Sequence, residues 1–324
     1  MIRAISLFSG GLDSTLAAKL VSMQGVEVIA LHADIGFGGL GDKKKHLELM
    51  AKQAEATLKI VDIKQEYLDE VLFTPKYGYG KNFNPCIDCH GFMFSLAKSM
   101  MDELGASFLI SGEVMGQRPM SQNKMALQSV INISKTKDIL LRPLCAKLME
   151  PTLAETQGWV DRQKLLDISG RGRSRQLQLA KELGIVEYES PAGGCLLTDV
   201  GFSNRLREFV AHDKLEVEDI DILKAGRHIR LPEGAKLIVG RNKDDNEKLQ
   251  QIENAKFVQV TQDAVGPLSL IEKGASNADK LLAAQIIATY SRHQDSEVEV
   301  KIGEEKITTL PFASKQMIQP YLVK

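Results

Sequence analysis

The sequence predicts an α/β fold, a doubly wound parallel sheet over residues 1–200, followed by a smaller α+β domain over residues 201–324. Three observations predict it. In the first half, short apolar runs bounded by turn residues alternate with segments of helical period. Strands separated by helices form βαβ units, whose strands pair in parallel. Beyond residue 200, a run of apolar and charged residues alternates strictly, as in a strand with one wet face.

The elements follow in order. Residues 4–8 are a first apolar strand, stopped at Ser9-Gly10-Gly11. Leu16, Ala17, Leu20 and Val21 then recur at helical spacing up to Gly25. Residues 26–32 form a buried strand that leads into Gly36-Phe37-Gly38-Gly39-Leu40-Gly41. Leu47, Met50, Ala51 and Ala54 mark a second helix, before a third strand at 58–63. Residues 92–104 read as helix, and 108–111 and 139–142 as strands, the last ended by Pro143. In the second half, 236–240, 257–260 and 298–302 read as strands, and Gly303-Glu304-Glu305 predicts a hairpin into 306–310. A helix over 277–292 carries Leu281, Leu282, Ile286 and Ala288.

The 324 residues are 44% hydrophobic and 26% charged, a globular composition. Lys+Arg 41 against Asp+Glu 42 leaves a net charge of −1, with 23 basic and 23 acidic residues in 1–200. Bulk positive charge is therefore excluded as a means of holding nucleic acid, and any polyanion site must be a local patch. Four cysteines are too few for a disulfide scaffold. The N-terminal apolar run breaks too early for a signal peptide, and no run approaches the ~18–20 residues that span a bilayer. A soluble, cytoplasmic protein with no membrane partner is expected.

Ser9-Gly10-Gly11-Leu12-Asp13-Ser14 lies between a strand and a helix. Glycines there let the backbone approach an anion, and the N–H groups of the loop and first helical turn point at it. Asp13 fits beside a phosphate only if Mg²⁺ bridges the two. A plain strand–helix turn with Ser9 as cap would use the same glycines, but six positions in this context favour the phosphate loop. The motif resembles that of the PP-loop ATP pyrophosphatases, and neither a Walker loop nor GxGxxG is present. The resemblance implies a PP-loop fold in which Ser9, Gly10, Gly11, Asp13 and Ser14 bind ATP with Mg²⁺. It also implies adenylation of a substrate oxygen, with release of pyrophosphate. Asp34, closing the second strand, is expected near the nucleotide, although an ordinary loop-entry acid fits as well.

Ser111-Gly112-Glu113-Val114-Met115-Gly116-Gln117-Arg118-Pro119-Met120-Ser121-Gln122 is similar to a segment of bacterial 4-thiouridine synthetases, one residue longer than their pattern. Its glycines and amides point to nucleotide or RNA contact, with Gly112 toward ATP and Gln117 and Arg118 toward RNA.

Asn84-Pro85-Cys86-Ile87-Asp88-Cys89-His90 resembles a segment of tRNA 2-thiouridylases, and Cys195 stands where those enzymes carry a second cysteine. A cysteine at a helix N-terminus is expected to have a lowered pKa. The resemblance implies that Cys86, Cys89 and Cys195 hold a [4Fe–4S] cluster. A persulfide relay through the same cysteines, or a zinc site completed by His90 or Cys145, are the alternatives. Cys145 otherwise reads as an ordinary buried cysteine.

Two basic stretches stand out. Ser169-Gly170-Arg171-Gly172-Arg173-Ser174-Arg175 is a glycine-spaced arginine loop suited to phosphates. The second includes Arg227, Arg230 and Arg241 and is similar to the RNA-binding domain of NFACT proteins over about 203–324. Arg171, Arg173, Arg175, Arg227, Arg230 and Arg241 are thus candidate RNA contacts. The combined expectation is a tRNA sulfurtransferase that adenylates a base carbonyl, probed by Asp13, Cys86, Cys89 and Cys195 as reacting residues. Its sulfur donor would be a persulfide or sulfide derived from a cysteine desulfurase. Two other readings stand beside it: a PP-loop enzyme activating a small molecule, and a non-catalytic, nucleotide-switched RNA- or ribosome-binding protein.

Overall fold

Five strands, β1 (Arg3–Leu7), β2 (Glu27–Asp34), β3 (Ala56–Asp62), β4 (Phe108–Ile110) and β5 (Leu140–Leu141), make one parallel sheet in the order β3-β2-β1-β4-β5. This is a computed structural model that describes residues 1–38, 43–188, 194–292 and 296–323. The chain divides into two units, Met1–Thr198 and Asp199–Lys324. Gly39, Leu40 and Gly41 of the second glycine-rich loop and residues 190–193 before Cys195 lie outside the described residues.

The helices of the first unit are α1 (Leu12–Ser22), α2 (Lys43–Gln53), α3 (Cys86–Ser99), α4 (Lys124–Ser134) and α5 (Ser174–Glu182). Alternate residues of each strand face opposite layers. Ala4, Val28, Ala30 and Phe108 pack with Leu16, Ala17, Met50 and Ala180. Ile5, Ile29, Leu31 and Leu109 pack with Phe94, Ala97 and Val130. Helices thus cover both faces, which is why these strands read as unbroken apolar runs.

The strand order positions the site. The chain steps from β1 outward to β3, then returns to the other side of β1 as β4, with Ser6 paired to Ile110. The loops after Leu7 and Ile110 therefore leave side by side at the carboxyl ends, where the order reverses and a ligand crevice opens.

Helix α3 begins earlier than its periodicity predicts, at Cys86, and ends at Ser99; a separate turn, Met101–Leu104, closes on Gly105 at φ 63°. Gly91 in α3 meets α4 so closely that a Cβ would lie 2.6 Å from Ile133 Cγ2.

In the second unit, α6 (Val200–Val210), α7 (Lys243–Gln251) and α8 (Asn277–Thr289) accompany six antiparallel strands. These are β6 (Arg227–Arg230), β7 (Lys236–Val239), β8 (Phe257–Gln262), β9 (Ser269–Glu272), β10 (Val298–Ile302) and β11 (Glu305–Thr309), in the order β11-β10-β8-β9-β7-β6. The β10–β11 hairpin forms as its turn residues predict, with Ile302 paired to Glu305. β6 and β9 were not expected, because one carries arginines at both ends and the other is only four residues long. α7 buries Asp245 and Leu249 alone, too little for a visible apolar stripe. Among the described residues, no helix is long and apolar enough to cross a membrane.

Gly91→Ala should destabilise the first unit by about 1–3 kcal/mol through overpacking against Ile133. A urea melt checks this, and adding Ile133→Ala should restore part of the loss.

Candidate active site

The phosphate loop is shaped by its own hydroxyls. Gly10 takes φ 77°, a conformation natural to glycine, and its carbonyl lies 3.0 Å from His46 Nε2. Ser14 Oγ donates to the Gly11 carbonyl at 2.8 Å and lies 3.2 Å from Ser9 Oγ. Gly11 begins α1 without a side-chain cap, leaving the first-turn N–H groups available to an anion.

Gly112, following β4, lies against this loop so tightly that a Cβ would be 2.6 Å from Ser14 N. Gln117 Nε2 then donates to Asp13 Oδ2 at 2.6 Å. Arg173, the N-cap residue of α5, pairs with the same oxygen. Gly170 N donates to Met115 O at 2.8 Å and docks the arginine loop on the loop after β4. Gln176, fully buried, donates to Gln117 Oε1 at 2.8 Å. Asp13 Oδ1, Arg173 Nε and Gln176 Oε1 are buried with no hydrogen-bond partner among the described residues. Buried polar atoms are rarely left so, and a carboxylate oxygen of this kind suits a cation.

Asp34 is engaged elsewhere. Its Oδ1 accepts from Gly36 N at 2.9 Å and its Oδ2 lies 3.0 Å from Lys64 Nζ. Burial alone would raise its pKa, but the Gly36 N–H and Lys64 prevail and lower it.

Cys86 and Cys89 sit in the first turn of α3, while Cys195 is tied by a β-bridge to Gly38, beside Leu196 N donating to Phe37 O at 2.9 Å. Cys195 and Cys86 stand close enough to Cys89 to raise its pKa, Cys86 does the same to Cys195, and buried Tyr67 lies beside all three. Asn84 Nδ2 donates to Cys86 Sγ at 3.3 Å. The acidic thiol expected at the helix N-terminus is corrected at Cys89. Burial, then the neighbouring sulfurs, push Cys89 well up, and burial pushes Cys195 to about 11. At Cys89 the helix terminus does not offset the loss of water. Among the described residues, no three His, Cys, Asp or Glu side chains are set around a single ion. Cys145 is fully buried in the core.

One group was missed by the sequence reading. Glu113, 5% exposed, accepts from Arg142 Nε at 3.0 Å and Ser111 Oγ at 3.1 Å, and lies 2.7 Å from His90 Nδ1. Burial would raise its pKa, but Arg142 and His90 hold it at about 2. His90 follows Cys89, and Glu113 follows Gly112, so this cluster ties the cysteine helix to the phosphate loop. Its visible signal was the His directly after Cys-x-x-Cys.

The other arginines have varied surroundings. Arg118 and Arg171 are exposed, and Arg175 pairs with Asp167 at 2.8 Å. In the second unit, Arg230 pairs with Glu208, and Arg241 Nε donates to Asp245 Oδ2 at 2.5 Å. Arg227 lies over the Tyr290 ring at 4.7 Å. Neighbouring Lys236 is fully buried on Glu208.

Residues 2–154 match the tRNA methyl transferase HUP domain family, and residues 226–322 match the NFACT protein RNA binding domain family. The tRNA-specific 2-thiouridylase MnmA of Petrotoga mobilis is 33% identical over 127 residues, 34% of this chain and 35% of its own. A Methanobrevibacter smithii protein named "Probable tRNA sulfurtransferase" is 32% identical over 159 residues, 45% of this chain and 37% of its own. The chain spans about a third of the length of these curated relatives. A crystal structure of a 4-thiouridine synthetase–RNA complex with bound ATP aligns at TM-score 0.42 and 20% identity, over 68% of this chain and 52% of that one.

Glu113→Gln should cost about 3–5 kcal/mol at neutral pH by leaving Arg142 buried without its counter-charge. Because the folded pKa is depressed, the native advantage is complete above the ordinary value of 4.5 and fades as pH falls toward about 2. Denaturant melts of both proteins at pH 7 and pH 3 should show the gap narrowing in acid.

Proposed function

With a HUP domain at residues 2–154 and an NFACT-type RNA-binding domain at 226–322, we propose that the protein is an ATP-dependent tRNA sulfurtransferase of the cytoplasm. The observation that carries this is a chain of contacts from the glycine loop at 9–14 to three neighbouring cysteines, through Gly112, Glu113 and His90. Phosphate activation and sulfur chemistry are then served at one place.

The amides of residues 9–14 receive the pyrophosphate end of ATP, and Asp13 Oδ1 would hold Mg²⁺. Once Asp13 turns to the metal, Arg173 is released onto the phosphates and its buried Nε gains an acceptor. A base carbonyl oxygen attacks the α-phosphorus, the bond to the bridging oxygen breaks, and pyrophosphate leaves. The base gives up its ring N–H proton in this step. A sulfur nucleophile then displaces AMP, leaving a thiocarbonyl. Reaching the carbonyl requires the base to leave its stack.

The donor set fits an iron–sulfur cluster. Three soft thiols lie near one another, and a cluster binds one thiolate per iron, so its ligands need not converge on a single ion. Bound cations would also deprotonate thiols that burial keeps neutral. When bound by Cys86, Cys89 and Cys195, a [4Fe–4S] cluster with an open iron would carry the incoming sulfide. Tyr67 and the buried wall around Cys89 exclude water there. Sulfur would come from a cysteine desulfurase as sulfide, or as a persulfide whose outer sulfur is released at the sulfide level when a second thiol attacks the inner sulfur and forms a disulfide.

Asp13→Asn should abolish tRNA-dependent pyrophosphate release and the thionucleoside seen by mass spectrometry of tRNA, while tRNA affinity stays within twofold. Phosphate in place of pyrophosphate would favour a nucleotide switch instead. Anaerobic reconstitution should yield bound iron and a broad visible absorbance band, both lost in Cys195→Ser; zinc alone would exclude the cluster.

A further inference from the structure

We propose that residues 73–83 are a stacking platform for the RNA nucleotides beside the base under modification, a reading that rests on the sulfurtransferase function above. Among the described residues, the aromatic side chains more than a third exposed are Phe73, Tyr77 and Tyr79, at 40%, 40% and 41%. All three lie in one short stretch that ends at Cys86. Aromatic rings left in water together mark an interaction surface.

The stretch is built onto the cysteine helix. Asp88, the buried residue between the two cysteines, accepts from Lys76 N at 2.9 Å and Tyr77 N at 3.0 Å. Gly80 N donates to Asn84 O at 2.9 Å, and Asn82 N to Asn84 Oδ1 at 3.0 Å, while the same Asn84 donates to Cys86 Sγ. Tyr79 Oη donates to Leu72 O at 2.7 Å, and Phe83 lies 4.8 Å from the Tyr79 ring and 6.2 Å from Phe73. The rings are therefore held at a fixed place relative to the sulfurs, not merely near them in sequence.

Charge selects the partner. Residues 71–87 contain Lys76 and Lys81 and no acid, and Lys76 Nζ stands 5.8 Å from the Tyr77 ring centre. Exposed rings interleaved with lysines suit unstacked bases and their phosphates, since every base offers a π-face. A base pulled from its stack leaves neighbours that lose stacking, and rings beside the reacting sulfur replace it.

The test uses full-length protein and an unmodified tRNA transcript. Tyr77 carries no side-chain hydrogen bond in the structure, so Tyr77→Ala, Tyr77→Leu and Tyr77→Phe probe the ring alone. Ala and Leu should weaken tRNA binding by roughly tenfold, Phe should match wild type, and ATP affinity should hold in all three as a check on folding. Ultraviolet cross-linking should map to residues 73–83. Leu binding as well as Phe overturns the platform. Unchanged tRNA affinity with lost sulfur delivery also overturns it, in favour of a protein contact. Wild-type protein that binds no tRNA overturns the platform and the proposed function together, whereas unchanged variants of an active wild type remove the platform alone.

Discussion

Glu113 is a carboxylate buried at the carboxyl end of the central parallel sheet, and the site is arranged around keeping it charged. Arg142, just past β5, supplies the counter-charge, and His90 in α3 supplies a second contact. Each partner comes from a different element, so the charge is satisfied only when β4, β5 and the cysteine helix are all in register. A buried ion pair of this sort adds little net stability compared with apolar packing, yet breaking it is costly. Its consequence here is positional: the residue before Glu113 touches the phosphate loop and the residue before His90 is Cys89.

The anion cradle shows the opposite condition, polar atoms without partners. Asp13 Oδ1, Arg173 Nε and Gln176 Oε1 lie buried and unsatisfied within one network. Asp13 and Arg173 neutralise each other in the free protein, which makes the pair tolerable without ligand. Under the proposed function, Mg²⁺ and triphosphate would offer each of them a stronger partner, and nucleotide binding would be coupled to release of this pair. Cys89 and Cys195 are the counterpart: thiols whose pKa values are raised by lack of water and by neighbouring sulfurs.

In the second unit, charge that reads as a basic surface is partly internal. Lys236 and Arg230 converge on Glu208, and burial lowers the pKa of Lys236 to about 8. Arg241 is clasped by Asp245. These cations organise the sheet around them, whereas the cation-rich aromatic stretch before Cys86 faces outward.

The parallel sheet was legible because both of its faces are covered, which forces continuous apolar strands, and the phosphate loop because only glycines permit that approach to an anion. β6 and α7 were not legible: the arginines of β6 find partners far along the chain, Glu208 and Tyr290, and α7 buries too few apolar residues to show a stripe. The same holds at the site. Sequence by itself determined the βαβ order and the glycine turn between β1 and α1, since each depends on neighbouring residues. Only the tertiary structure decided that Arg173 meets Asp13, that Glu113 bridges Arg142 and His90, and that burial raises the Cys89 and Cys195 pKa values. Those outcomes depend on which distant groups share a space without water, and local sequence carries no record of that.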